Sequence, residues 1–166
     1  MLRIFIRKNP RIELRPLLHG GGHEFGYRSG TLSVHNIVGF GMACKIAQEL
    51  KKEDNKKIKK LRNELLKGLK IIFPDLAING ELDNRLEGNL NLTFPNHSAE
   101  KIMMSISEIA CSTGSACTSS IPKPSHVLIA LGLNKEQINN TIRFGIGRFN
   151  TMEEIKCVID LFKKKL

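Results

Sequence analysis

The chain has 166 residues, of which 41% are apolar and 25% charged, with a formal net charge of +10. This length provides for one compact domain, or one domain and a fragment of another. No apolar run approaches 20 residues and no charged-then-apolar leader ends in small residues, which argues against a membrane span and a secretory signal. We therefore expect a cytoplasmic protein.

The first third of the sequence predicts a strand, a long loop and a long helix. Residues 2–6 alternate apolar with charged or aromatic side chains, as in a half-buried strand. Residues 8–31 contain two prolines and five glycines and predict an irregular loop. From His35 apolar residues recur at helical spacing, and the helix is expected to continue, with a break allowed, into a lysine-rich run.

The lysine-rich run, residues 51–70, contains nine basic and three acidic residues. Ile58, Leu61, Leu65 and Leu69 recur every three or four positions, so the lysines are predicted to line the solvated face of an amphipathic helix. Nucleic-acid binding is the less favoured alternative, because aromatic residues make up only 5% of the chain. We expect neither a nucleic acid nor a membrane as partner.

The remainder alternates short strands and helices. Strands are predicted around Ile78, over residues 89–94, at residues 109–110 and within residues 141–149. A helix is expected to follow Ser98, and Asn134 with Gln137 and Thr151 with Glu154 fit the reciprocal capping pattern of two further helix starts. This order predicts a mixed α/β layer fold.

The four cysteines are not arranged for disulfides or a structural metal site, because none forms a CxxC pair and the chain is not a small secreted framework. Cys44 and Cys157 lie in helical apolar patterns and Cys111 ends an apolar stretch, so these three are predicted to be small buried side chains. Cys117 is surrounded by small and hydroxylated residues. It is a candidate nucleophile on an exposed loop, with an unremarkable surface cysteine as the alternative.

The glycine-rich loop offers backbone N–H groups next to a cation and hydroxyls, Arg28, Ser29, Gly30 and Thr31. Such a set suits a phosphate, although tight turns also require glycine. His19 and His23 are separated by three glycines, which argues against a helical pair of metal ligands.

Arg143 lies within a predicted strand among apolar residues. A buried, unpaired guanidinium would be costly, so the side chain either points outward or meets an anion such as a carboxylate. The sequence leaves these two interpretations open.

Three motifs together resemble the cysteine desulfurases of the NifS/IscS type, a class-V aminotransferase-type group, and most closely its IscS-like members. They are HGGGHE followed by RSGT, the loop SxGSACTS, and IRFGIGRF followed by a T-x-E-E helix start. They occur in the family's order and at about its intervals, and the resemblance extends over residues 2–165.

The resemblance implies roles for three residues. Cys117 falls at the nucleophile that attacks the sulfur of a cysteine bound to pyridoxal phosphate, which forms a persulfide and releases alanine. Arg143 matches the arginine that holds the substrate carboxylate. Thr31 matches the threonine that reaches the cofactor phosphate of the neighbouring subunit in a homodimer. No metal ligand is implied, and any contact of the Cys117 persulfide with an iron–sulfur cluster would be transient.

The resemblance also implies a missing part. The family's cofactor-binding lysine lies in an SxHK motif, whereas no histidine of this chain is followed by lysine. Residues 1–34 would be the trailing edge of the large domain, and residues 35–166 the long helix with the C-terminal small domain, a mixed sheet with helices packed on it, of a fold-type I pyridoxal-phosphate enzyme. Because IscS-type proteins continue beyond the position matching Leu166, scaffold docking through their tail is not expected.

Two functions remain as expectations. The first is the C-terminal portion of a cysteine desulfurase that serves iron–sulfur cluster or thio-cofactor assembly. Its partners would be L-cysteine, an N-terminal half or a full-length desulfurase subunit, and an iron–sulfur scaffold or another sulfur acceptor. The second is a noncatalytic remnant or interaction module that lacks the cofactor lysine.

Overall fold

A computed structural model describes residues 4–10, 12–113 and 124–166. The chain forms two compact units, Met1–Lys51 and Lys52–Leu166. The domain boundary that the resemblance implies, between residues 34 and 35, stays a prediction. Among the described residues, no helix is both long enough and apolar enough to cross a bilayer.

The first unit is largely irregular before its helical part. A 3₁₀ turn forms at Glu24–Gly26, and the long helix α1 (Val34–Ile72) begins one residue before the predicted start. The predicted strand at residues 2–6 is wrong where it can be judged, because residues 4–6 are not in a strand and Phe5 is 92% exposed. A strand needs a hydrogen-bonding neighbour, and no described residue provides one.

The helix α1 is continuous over 39 residues, so the predicted extension through the lysine-rich run is confirmed without a break. In the second unit its apolar side is buried, with Leu61, Leu65 and Leu69 in the core. It ends at Ile72, just before Phe73 and Pro74, because the residue before a proline is disfavoured in helical geometry.

Where the second unit is described, three strands form its sheet: β1 (Ala77–Ile78), β2 (Asn89–Thr93) and β3 (Thr141–Gly145), in the order β1-β2-β3. Leu90 pairs with Phe144 and Leu92 with Ile142, so apolar side chains share one face. Both pairings are antiparallel. The resemblance implied a mixed sheet, and this detail is corrected to an antiparallel sheet for the described strands.

The described residues of this unit also form four shorter helices: α2 (Ala99–Ser105), α3 (His126–Ala130), α4 (Lys135–Asn139) and α5 (Met152–Lys165). Both predicted capping boxes are confirmed. Asn134 Oδ1 accepts from the Gln137 backbone N–H at 2.9 Å, and Thr151 Oγ1 accepts from that of Glu154 at 3.2 Å. Ser98 precedes α2 as predicted but makes no side-chain cap bond.

The core lies between the sheet and α1, α2 and α5. Phe94 and Phe162 stack with ring centroids 5.8 Å apart, and Phe73 meets Phe94 edge-on at 5.2 Å. Phe94 and Phe162 are fully buried, and truncating such a side chain to alanine costs about 3–5 kcal/mol.

Two of the three cysteines predicted to be buried are exposed. Cys157 lies on α5 two positions after the buried Ile155, which turns its side chain to the solvent face of the helix. Cys44 lies in the part of α1 within the first unit, where residues 34–51 are exposed except the half-buried Phe40. Both predictions were therefore wrong, because helical periodicity identifies an apolar side but not whether anything packs on it.

Candidate functional site

Arg143 lies in the middle of β3 and its side chain is exposed, while those of its neighbours Ile142 and Phe144 are buried. Successive strand residues point to opposite faces, so the apolar face of β3 turns Arg143 away from the core. The side chain therefore points outward, and its contact with an anion stays a prediction. No described residue supplies a carboxylate to its guanidinium, which leaves the group able to meet an anion.

The backbone of Arg143 is tied to Ser112. Arg143 N donates to Ser112 O at 2.6 Å, and Ser112 N donates to Arg143 O at 3.2 Å. This isolated antiparallel bridge lies at the edge of the sheet that β2 leaves open. The strand predicted at residues 109–110 is not formed, and extended pairing occurs instead two residues later at Ser112.

Cys117 follows Ser112 by five positions in the sequence and lies outside the described residues, within 114–123. Its predicted exposure on a loop is therefore untested. The chain leading to it passes the backbone of Arg143 at Ser112, which the sequence did not indicate.

A buried polar network fixes the start of β3. Thr141 Oγ1 donates to Gln137 O at 2.7 Å and lies 2.8 Å from Thr93 Oγ1 on β2. Asn79 Nδ2 donates to Thr93 Oγ1 at 2.9 Å, which extends the network beyond β1. Since buried hydroxyls without partners are costly, this network favours one register of β3 and therefore one position for Arg143.

The turn after β3 is held against α1. Arg148 forms an ion pair with Asp54 at 2.7 Å, and Lys57 Nζ donates to Arg148 O at 2.7 Å. Ile146 N donates to Gly88 O at 2.8 Å, and a Cβ on Gly88 would lie only 2.0 Å from Ile146 O. Both ends of β3 are thus anchored, which suits a strand that must present one side chain precisely.

The glycine-rich loop of the first unit is folded by its own polar groups. Ser29 is buried and its Oγ accepts from the Gly22 N–H at 3.2 Å, while Arg28 Nη1 donates to the carbonyls of Gly30 and Thr31 at 2.9 and 3.2 Å. Gly30 has a φ of +106°, a conformation that side-chain-bearing residues rarely adopt.

These contacts refine the predicted phosphate-binding set. The Ser29 hydroxyl is used within the loop and Arg28 is turned partly inward, so neither is as free as the sequence suggested. Thr31 is exposed, and its hydroxyl forms no hydrogen bond among the described residues. The Thr31 hydroxyl and the exposed backbone around it are the donors that remain for an anion.

Cys111, next to Ser112, is half-buried, and this burial raises the pKa of its thiol. A raised pKa keeps the thiol neutral near pH 7 and therefore poorly nucleophilic. Its half-buried position agrees in part with the prediction that Cys111 is a small buried side chain.

No group of three or more potential metal ligands occurs among the residues that the structure describes. His19 and His23 are both exposed in the glycine-rich loop.

Each of the two units, taken by itself, offers one group with the chemistry that pyridoxal phosphate or its amino-acid substrate requires. The free Thr31 hydroxyl suits the phosphate group, and the exposed Arg143 suits the carboxylate of an amino acid bound to the cofactor. The His-Lys motif identifies no lysine for the aldehyde of the cofactor. The five histidines of the chain are followed instead by Gly20, Glu24, Asn36, Ser98 and Val127.

Comparison with known proteins gives the family. The model for class-V aminotransferases matches residues 4–158. The chain belongs to this family. The match spans both compact units, and the expected class of α/β fold is confirmed.

The family relatives include cysteine desulfurases. The chain is 47% identical over 163 residues to the cysteine desulfurase IscS of Ruthia magnifica, covering 98% of this chain and 40% of that protein. It is 45% identical to the mitochondrial cysteine desulfurase of Arabidopsis thaliana, covering 98% of this chain and 36% of the relative. The resemblance to IscS-like desulfurases is thereby confirmed.

A solved structure agrees. The NifS-like protein from Rickettsia africae superposes with a TM-score of 0.76 at 32% identity, over 92% of this chain and 40% of that one. The chain thus spans about 40% of the length of the family members it matches.

Proposed function

We propose that this class-V aminotransferase chain is the C-terminal portion of a pyridoxal-phosphate-dependent cysteine desulfurase. In this proposal Cys117 takes sulfur from L-cysteine as a persulfide, and alanine is released. The observation that carries the proposal is the backbone pairing of Ser112 with Arg143. It sets the approach to the cysteine-bearing segment beside Arg143, a side chain suited to the substrate carboxylate.

Arg143 would bind and orient the substrate. Its guanidinium can hold a carboxylate with two parallel hydrogen bonds, which fixes orientation as well as position. The anchored ends of β3 support this role, because little reorganisation would be needed when the substrate arrives.

Cys117 would act as the nucleophile. Its thiolate forms a bond to the substrate sulfur as the bond between that sulfur and Cβ of the substrate breaks. The electron pair of the broken bond stays with the carbon, which takes up a proton and leaves as alanine. Pyridoxal phosphate, when bound, supplies the electron sink that makes this bond cleavage accessible.

Thr31 would donate its hydroxyl to the cofactor phosphate, in a homodimer to the cofactor of the neighbouring subunit. Its exposure and its free hydroxyl support this proposal. Arg28 would contribute indirectly, because it holds the carbonyls of Gly30 and Thr31 and so shapes the backbone beside the hydroxyl.

Activity would require a segment that carries the cofactor-binding lysine. That segment could be a separate N-terminal half or a full-length desulfurase subunit. The sulfur would then pass from the persulfide to an iron–sulfur scaffold or another acceptor, for cluster or thio-cofactor assembly.

A noncatalytic interaction module is the second candidate function. It is favoured by one observation, the lack of a His-Lys pair in this sequence. Such a module would keep the fold of the second unit and bind partners without turning over cysteine.

The two candidates are separated by the native mass and pyridoxal phosphate content of the complex that co-purifies with the tagged chain from its own host. A complex that contains a lysine-bearing subunit, bound cofactor and cysteine-dependent alanine production supports the desulfurase. A colourless complex without such a subunit, which produces no alanine, overturns it in favour of the interaction module.

A further inference from the structure

The exposed side of α1 in the second unit carries an unusual concentration of positive charge. Six lysines, all exposed, form what we call the lysine stripe: Lys52, Lys56, Lys59, Lys60, Lys67 and Lys70. At 3.6 residues per turn they fall within an arc of about 100° and extend over about 27 Å. The stripe is therefore a continuous cationic surface and not a set of scattered charges.

Carboxylates do not neutralise the stripe. Glu53 and Glu64 flank it on α1, yet among the described residues neither forms an ion pair with any of the six lysines. Asp54, the third acidic residue of the run, is engaged by Arg148. Holding six like charges together opposes folding slightly, so a negatively charged partner on this face would relieve their repulsion.

An open groove of about 530 Å³ lies at the C-terminal end of the stripe. Its polar rim is formed by Asn63, Lys67 and Lys70, and its apolar lining by Leu66, Ile71 and Leu82. Ile71 is 69% exposed, so its side chain is accessible to a partner that enters the groove. The groove thus combines an apolar surface with a cationic rim in one place.

We propose that the lysine stripe and its groove bind an acidic protein segment that inserts an apolar side chain between Lys67 and Lys70. Charge complementarity along the helix would attract and align the segment, and the groove would select for the apolar anchor. This surface is separate from the residues assigned to sulfur transfer, and the proposal does not depend on that assignment.

Two other classes of partner fit less well. Lysines can contact a nucleic acid's phosphates, but neither the stripe nor the groove lining contains an aromatic side chain for base stacking, and a phosphate backbone would leave the apolar lining unfilled. A membrane presents a flat surface to a protein, and such a surface does not fill a groove.

The test is the binding of a fluorescein-labelled helical peptide to the full 166-residue chain. The peptide carries glutamates along one face and two leucines one turn apart on that face. A second peptide has serines in place of the leucines. A short DNA duplex and vesicles of phosphatidylcholine with phosphatidylserine are tested in parallel.

Two variants locate the site. Lys67→Glu with Lys70→Glu reverses charge at the groove, and Ile71→Ser removes its exposed apolar side chain. Lys163→Glu with Lys164→Glu is the matched control, because it makes the same change of charge, also near the C-terminal end of a helix. Thermal unfolding checks that each variant remains folded.

We expect the leucine peptide to bind the unsubstituted chain. Its affinity should be about tenfold weaker for the Lys67→Glu/Lys70→Glu variant and about threefold weaker for Ile71→Ser, and that of the control variant should stay within about twofold. The serine peptide should bind more weakly. Equal loss in the control variant, equal binding of the two peptides, absence of peptide binding, or binding of only the duplex or the vesicles would each overturn it.

Discussion

Gly68 on α1 and Ile159 on α5 are in such close contact that a Cβ on Gly68 would lie 2.3 Å from Cδ1 of Ile159. Both residues are buried. The two helices approach each other here because Gly68 has no side chain, and the isoleucine occupies the space that one would take.

Substituting Gly68→Ala should destabilise the chain by about 1 kcal/mol in urea unfolding. Overpacking against Ile159 costs about 1–3 kcal/mol, and the better helix propensity of alanine returns about 1 kcal/mol. Ile159→Val removes the closest atom, so the double variant should lose less stability than the sum of the two single changes. Gly39→Ala, with nothing within 4 Å of the added Cβ, should instead be neutral or stabilising. Strict additivity in the double variant would contradict this contact.

Cys111 should make stability depend on alkaline pH. Burial raises the pKa of its thiol, so as pH rises past the ordinary value of 9.0 the unfolded chain loses this proton before the folded chain does. The free energy of unfolding should therefore fall as pH rises through that range. In the Cys111→Ala variant the free energy of unfolding should fall less steeply with pH. Cys157→Ala removes an exposed thiol and is the control. Its free energy of unfolding, measured by urea titration at each pH, should fall with pH as steeply as that of the unsubstituted chain. Identical slopes for Cys111→Ala and the unsubstituted chain would argue against the shift.

Cys117→Ser should abolish sulfur transfer in the assembled desulfurase, since a hydroxyl cannot hold the sulfur as a persulfide. We expect persulfide formation from labelled cysteine to fall below about one hundredth of that of the unsubstituted protein, while cofactor content is retained. Cys157→Ser is the matched control, because it removes an exposed thiol from α5 and should leave transfer intact. Sulfur transfer that persists in Cys117→Ser would remove this residue from the proposed mechanism.

Arg143→Ala should mainly weaken cysteine binding. Loss of a bidentate carboxylate contact typically costs about 2–3 kcal/mol, which corresponds to a rise in KM of about thirtyfold or more. Arg143→Lys should recover part of this loss, because lysine keeps the charge but not the paired geometry. The strand should tolerate both changes, since this side chain is exposed. Lys156→Ala, an exposed cation on α5, provides the control. An unchanged KM in Arg143→Ala would show that the substrate carboxylate is held elsewhere.

The sequence predicted the elements whose signals are local. The two capping boxes need only residues three positions apart, and they form as expected at Asn134 and Thr151. The apolar spacing of Leu61, Leu65 and Leu69 likewise predicted which side of α1 is buried. Three separated motifs were enough to identify the family, because each places uncommon residues at a defined interval.

What the sequence by itself determined is therefore the periodicity, the caps and the family. The tertiary structure decided which predicted faces find a neighbour: Cys44 and Cys157 are exposed, residues 4–6 form no strand, and Arg143 pairs through its backbone with Ser112. The physical reason is that burial and strand pairing depend on residues far apart in the chain. A local pattern records the preference of a segment for apolar surroundings, but only the packed chain supplies them.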